Sequence, residues 1–220
     1  MARRRPSSDR WLREHHNDPF VQAARKEGYR SRAVYKLIEI QEKFSILKSQ
    51  QTVVDLGAAP GGWSQIAGRL VGDHGRVVAV DLLEMESVPG VVFIQGDFLD
   101  DEILSQINQH LAGSHALSET EAPRLVNVVL SDMAPNMSGM KAADQARGEL
   151  LAETAFEFAD QSLRPGGAMV IKLFHGPGFH ELVREARTLF EGTRVFKPKA
   201  SRARSAEQYL VATGFKGNDR

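Results

Sequence analysis

The sequence predicts a doubly wound α/β fold on a mostly parallel sheet, and three observations predict it. Short apolar, β-branched runs recur at 53–56, 76–81, 91–97, 125–132 and 166–174. Helix-periodic segments alternate with them, the pattern of crossover connections in a parallel sheet. The first run opens directly into a Gly-rich turn and a helix start over Val53–Gln65, a layout that puts a ligand at the carboxyl end of a parallel strand.

The 220 residues, 42% of them hydrophobic, suffice for one core and one domain, with no internal repeat and no linker to mark a second. There is no cysteine, which excludes disulfides and thiolate metal sites and fits a reducing cytoplasm. No apolar run approaches the roughly 18 residues of a membrane span, and the basic N-terminus lacks the apolar stretch of a signal peptide. Net charge is zero but unevenly spread: residues 1–36 carry a surplus of six positive charges, residues 194–220 a surplus of five, and the middle a deficit of eleven. Basic ends on an acidic body suit a polyanionic partner.

In chain order, residues 1–28 read as a basic, partly disordered arm, with Trp11 and Phe20 as apolar anchors. From Ser31, a plausible cap, residues 31–40 have helical spacing at Ala33, Leu37 and Ile40, with Lys36 on or near the polar face. Taken alone, Lys36 reads as a solvated charge. The turn follows, and Pro60 restricts Ala59 before the helix 63–71. Gly57 removes a side chain where a ligand must come close. A dinucleotide fingerprint would need glycine where Ala59 stands, so the turn suits a nucleoside ligand without phosphates, S-adenosylmethionine above all.

Asp81 ends the second strand, placed to accept hydrogen bonds from ribose hydroxyls. Asp97 ends the third beside Phe98, where an acid and an apolar wall suit an adenine ring; capping the next helix is a compatible role. Residues 112–124 lack a usable period and read as a surface loop. The fourth strand leads into Asp132, Pro135 and Asn136, a rigid lip over the pocket, and a helix over 144–163 follows. Lys172 interrupts an apolar strand. An unpaired ammonium there is expensive, so the position points to a site with acidic partners. A helix over 178–190, a short strand near 194–196, a basic loop over 197–205 and a last strand over 207–212 complete the sheet.

Five segments in this order, Ser31–Ile40, Val53–Gln65, Ser131–Gly139, Val170–Phe174 and Ser201–Tyr209, resemble the FtsJ/RrmJ (RlmE) family of ribosomal RNA methyltransferases, and the likeness runs from about Trp11 to Gly214. The resemblance implies a Rossmann-like methyltransferase fold with a seven-stranded sheet, one strand antiparallel, in a single domain over 29–214 followed by a tail over 215–220. It implies transfer of a methyl group from S-adenosylmethionine to the ribose 2′-hydroxyl of a uridine in the large-subunit (23S) rRNA, by a cytoplasmic monomer needing no metal. The family's catalytic tetrad falls on Lys36, Asp132, Lys172 and Glu207. Its cofactor contacts fall on Gly61, Trp63, Asp81, Asp97 and Asp132, to which the turn and strand readings add Gly57, Gly62 and Phe98. A free lysine, with pKa near ~10.4, cannot take a proton at neutral pH. The expectation is that Lys36 and partial burial bring Lys172 down toward ~7–8 as general base, with Asp132 and Glu207 orienting the pair. Arg3–Arg5, Arg30, Arg32, Lys197, Lys199, Arg202 and Arg204 would line a groove for RNA phosphates. The tetrad also serves methyltransferases of transfer RNA and of RNA caps. A non-catalytic ribosome-assembly protein on a retired fold is the main reading of another class, and an NAD-dependent oxidoreductase is disfavoured by Ala59.

Overall fold

The computed structural model describes residues 18–112, 124–136, 138–176, 178–202 and 205–217. The expectations placed on Arg3–Arg5, Trp11, Arg204 and most of the 112–124 loop lie outside them. Its elements are α1 (Pro19–Lys26), α2 (Val34–Phe44), β1 (Thr52–Leu56), α3 (Gly62–Val71), β2 (Arg76–Asp81), β3 (Val91–Gln95), α4 (Asp101–Ala112), β4 (Val126–Ser131), α5 (Lys141–Ser162), β5 (Leu163–Phe174), α6 (Phe179–Leu189), β6 (Phe190–Phe196) and β7 (Glu207–Phe215).

The seven strands form one sheet in the order β3-β2-β1-β4-β5-β7-β6. Strands β1 to β5 run parallel, and β7 is antiparallel to both β5 and β6. Alternation along each strand sends neighbours to opposite faces. Val53, Val77, Val128, Val170 and Val211 pack under α2 and α3 with Leu37, Ile40, Ile66 and Ala67. Val54, Val78, Val129, Met169 and Leu210 pack under α4, α5 and α6 with Ile107, Phe156 and Ala186. Both faces are therefore covered, as a parallel sheet requires.

Chain order reverses between β1 and β4, which are direct neighbours, so their carboxyl ends form the topological switch point where open α/β sheets bind ligands. Asp55 and the turn 57–61 sit at the end of β1, and Asp132 follows the end of β4.

Several boundaries differ from the sequence reading, each for a tertiary reason. Ser31 does not cap α2. The helix starts at Val34 after Ala33, with no side-chain cap, because Ser31–Ala33 are drawn onto α3 instead. The cap signal in this region belongs to Asp18, whose Oδ1 accepts from the Phe20 N–H at the start of α1. Strand β6 is seven residues long and follows α6 without a loop. Its edge position leaves it unevenly buried, which hides the apolar pattern.

Asp55 is fully buried. Its Oδ2 accepts from the Ser64 hydroxyl at 2.6 Å, while Oδ1 has no partner among the described residues. Burial dominates and pushes the carboxyl up to about 7, partly opposed by Ser64 and reinforced by the charges of Asp132 and Asp81. Between its ordinary value and about 7, the folded state keeps a proton that the unfolded chain has released. Raising the pH through that window therefore destabilises the fold. Chemical denaturation at pH 5 and pH 8 should show the stability of Asp55→Asn shifting in its favour, relative to the original protein, by about 2 kcal/mol across that range.

Candidate active site

The site is assembled by residues on α2, β5 and β7 and just past the end of β4, at the carboxyl edge of the parallel strands. Helix α2 lies over the sheet face that carries Tyr209, and its Lys36 points inward. Lys36 is only 8% exposed, so the polar-face reading of this residue does not hold. Strand β5 contributes Lys172, 7% exposed, and the antiparallel register sets it opposite Tyr209 on β7. Two residues back along β7, Glu207 shares the face of Tyr209 and lies opposite Phe174. Asp132 is held just past the end of β4.

These groups converge on one carboxylate. Lys172 Nζ lies 2.7 Å from Asp132 Oδ1 and also donates to the Asp132 carbonyl oxygen at 2.6 Å. Lys36 Nζ lies 3.7 Å from the same Oδ1 and 3.0 Å from Glu207 Oε1. The Tyr209 hydroxyl donates to Asp132 Oδ1, and Lys36 Nζ stands 5.6 Å from the centre of the Tyr209 ring. The structure thus brings Lys36, Asp132, Lys172 and Glu207 together. Burial acts most strongly on the Asp132 carboxyl and would raise it. Lys172, then Lys36, and the hydrogen bonds from Lys172 and Tyr209 outweigh burial and hold it below the usual carboxylate range. The ionised form of Asp132 therefore contributes stability at neutral pH, lost as the pH falls below the ordinary carboxyl value.

Tyr209 was not singled out from the sequence. It is fully buried, packs tilted by 40° against Trp63 with ring centres 5.7 Å apart, and donates to the central carboxylate. The signal that could have found it is the strand period, which puts residue 209 on the same face as Glu207.

Beside this cluster lie the residues expected to hold a cofactor. Asp81 is already engaged with the backbone: Oδ2 accepts from the Ala59 N–H at 2.9 Å and Oδ1 from the Leu83 N–H at 2.8 Å. A carboxylate has about four acceptor positions, so ribose hydroxyls can still donate to it. Asp97 Oδ1 accepts from the Leu99 N–H at 3.1 Å in a turn that precedes α4, which starts at Asp101, so Asp97 does not cap that helix; Phe98 is buried beside it. Leu82, Leu83 and Leu99 are at least half exposed and flank the two acids. Acids with apolar walls, and a turn lacking the phosphate fingerprint, fit an adenosine rather than a nucleotide phosphate.

The turn itself departs from expectation. At Gly57, with φ +74°, a Cβ would come within 2.4 Å of the Met133 side chain, so the close approach there is made by Met133. A Cβ on Gly62 would meet Ser31 Oγ at 2.8 Å. Trp63, 3% exposed, spends its indole N–H on the Ala33 carbonyl at 2.8 Å; what it can offer a ligand is the backbone at the start of α3. Arg30 and Arg32 are likewise engaged within the protein: Arg30 donates to three backbone carbonyls, and Arg32 to Asp18 and the Ala200 carbonyl.

A family model for the FtsJ-like methyltransferases matches residues 29–215. The chain belongs to the FtsJ-like methyltransferase family. Among its relatives, the ribosomal RNA large subunit methyltransferase E of Magnetococcus marinus is 54% identical over 99% of this chain and 100% of its own. The protein of the same name from Pseudomonas aeruginosa is 52% identical, again over 99% and 100%. The solved structure of a putative ribosomal RNA methyltransferase from Plasmodium falciparum superposes with a TM-score of 0.71 at 27% identity, covering 86% of this chain and all of that one. The Rossmann-like methyltransferase fold, with its seven strands and one antiparallel strand, is as expected.

In this methyltransferase, Tyr209→Phe removes one donor from a largely buried carboxylate and keeps the ring against Trp63. Methyl transfer measured at saturating substrates should fall roughly tenfold, with the melting temperature lowered by about 2–8 °C for the lost bond.

Proposed function

We propose that this methyltransferase transfers a methyl group from S-adenosylmethionine to the 2′-hydroxyl of a uridine in 23S rRNA, with Lys172 as the general base. The observation that carries the reading is the single carboxylate of Asp132 shared by Lys36, Lys172 and Tyr209 at the switch point of the sheet. The names of its full-length relatives support the RNA substrate, and a ribosomal RNA substrate would be met in the cytoplasm.

Asp81 would take the ribose hydroxyls of the cofactor and Asp97, with Phe98, its adenine. Gly61, Gly62 and the backbone at Trp63 would bound the methionine end. Bound there, S-adenosylmethionine supplies a methyl already activated on a sulfonium, so no metal is required. The protein's work is then orientation and removal of one proton. Asp132 fixes the Lys172 Nζ with two contacts, and Glu207 draws Lys36 to the other side of the same cleft. Attack of the ribose oxygen on the methyl carbon would break the sulfur–methyl bond and release a neutral thioether, and the hydroxyl proton would pass to Lys172 Nζ, which acts as base once it has given up its own proton. Lys36 and Asp132 hold the sugar and the charge that develops.

Polyanion binding falls to basic groups around this mouth. Lys199 is exposed and Arg202 half-buried, in a loop whose backbone N–H groups at Lys199 and Ala200 are fixed by the Glu39 carboxylate at 2.7 and 2.8 Å. Fewer phosphate contacts than the basic count suggests still give a steep salt response. Affinity for rRNA should fall roughly ten- to a hundredfold between about 50 and 200 mM salt, read by filter binding.

Tritiated-methyl transfer to ribosomal subunits and free rRNA, with mapping of the modified ribose, tests the reaction and its site. Lys172→Ala should bind the cofactor with unchanged affinity by calorimetry and transfer no methyl. Transfer at the original rate would remove Lys172 from this role, and a protein that binds rRNA but no cofactor would favour the assembly-factor reading.

A further inference from the structure

The Arg30 guanidinium lies where three parts of the chain meet. Its Nη1 donates to the Glu86 carbonyl at 2.6 Å and to the Pro60 carbonyl at 3.3 Å, and its Nη2 donates to the Ser87 carbonyl at 2.6 Å. Pro60 belongs to the Gly-rich turn, and Glu86 and Ser87 belong to the segment between β2 and β3 that follows Asp81. The backbone of the same residue is fixed as well: its N–H donates to Gln65 Oε1 at 3.0 Å, and Gln65 Nε2 returns to the Gly28 carbonyl at 3.2 Å. A Cβ on Gly61, whose φ of +105° itself favours glycine, would come within 2.9 Å of Arg30 Nη1 and Met85 Sδ, so both side chains lie close over the turn. Turn, arginine and the 82–88 segment therefore pack as one block.

From this geometry we infer that Arg30 is a positioning residue for the cofactor site, clamping the turn 57–61 to the segment after β2, rather than a phosphate contact for RNA. The inference rests on the cofactor reading above. Asp81 joins the same two segments from the inner side, through Ala59 and Leu83. A ligand held between Gly61 and Asp81 is bounded on both sides by parts that Arg30 ties together. Charge-assisted hydrogen bonds to carbonyls are strong and directional, and the planar fork spans two neighbouring carbonyls at once. A lysine, with a compact ammonium, cannot reproduce the three-point clamp. The clamp also gives one of the positive charges at this end of the chain a role inside the protein, which charge counting alone assigns to nucleic acid.

Three proteins are compared: the original, Arg30→Ala, and Arg30→Lys as a variant that keeps the charge and most of the packing. Each is measured by calorimetry with S-adenosylmethionine, by filter binding with rRNA, and by kinetics. The expected result is a KM and Kd for S-adenosylmethionine raised about tenfold in Arg30→Ala and severalfold in Arg30→Lys. In both variants kcat at saturating cofactor stays within about twofold and the rRNA Kd is unchanged. A variant that only loosened the fold would lower kcat and rRNA binding together, and that outcome overturns the inference. So does the converse split, with rRNA affinity falling in Arg30→Ala, retained in Arg30→Lys, and cofactor affinity untouched. If the original protein itself does not bind S-adenosylmethionine, the cofactor reading fails first and the clamp, as assigned, fails with it.

Discussion

A carboxylate that receives two ammonium groups and a phenol hydroxyl has almost no freedom left, and Asp132 is in that position. Lys172, Lys36 and Tyr209 all reach its Oδ1, and Glu207 takes up the outer side of Lys36. Two cations against two anions make the cluster neutral as a whole, which is what allows four ionisable side chains to be so little exposed. The arrangement depends on strand ends from β4, β5 and β7 being adjacent, together with a helix crossing above them. The sheet order supplies the first condition, and the packing of Leu37 and Ile40 of α2 onto the sheet supplies the second. Breaking one pair would strand a charge in the cleft, at a cost of about 3–5 kcal/mol.

A second constraint joins the cluster to the neighbouring pocket. The start of α3 is covered by Arg30–Ala33, through the Trp63 indole on the Ala33 carbonyl, the Gln65 bond to Arg30, and the close fit of Ser31 against Gly62. Trp63 in turn lies against Tyr209. A continuous path of packed groups thus runs from the segment before α2, through the turn, to the residue that donates to Asp132. The part of the chain that leads toward its basic N-terminus is built into the same framework as the chemistry, which suits a reaction in which a large polyanion and a small cofactor must meet at one atom.

Much of this was legible in the residues. Apolar runs gave the strands, and β2 falls at Arg76–Asp81, as the pattern predicts. Lys172 stood out because an ammonium inside an apolar strand needs a reason. What local pattern could not supply was the third dimension. Lys36 reads as a surface lysine because its helix has a polar face at that point, and only the sheet edge beneath it turns that face into a cleft wall. Gly57 and Gly62 are glycines for Met133 and Ser31, residues distant in sequence. Arg30 and Arg32 count as positive charges in any composition, yet their guanidinium groups are spent on carbonyls and on Asp18. Nothing in the local pattern of the last strand marks Tyr209, and only the register, which sets it opposite Lys172, brings it to the site.

The proposed chemistry depends on where the methyl of a bound donor lies relative to the shared carboxylate. A crystal structure with sinefungin, whose amine takes the place of the sulfonium methyl, measures this directly. The prediction is that the amine sits within hydrogen-bonding reach of Asp132, facing Lys172 Nζ, with the adenosine between Asp81 and Asp97. An amine directed away from Asp132, with Lys172 on the far side of an intervening wall, would contradict it.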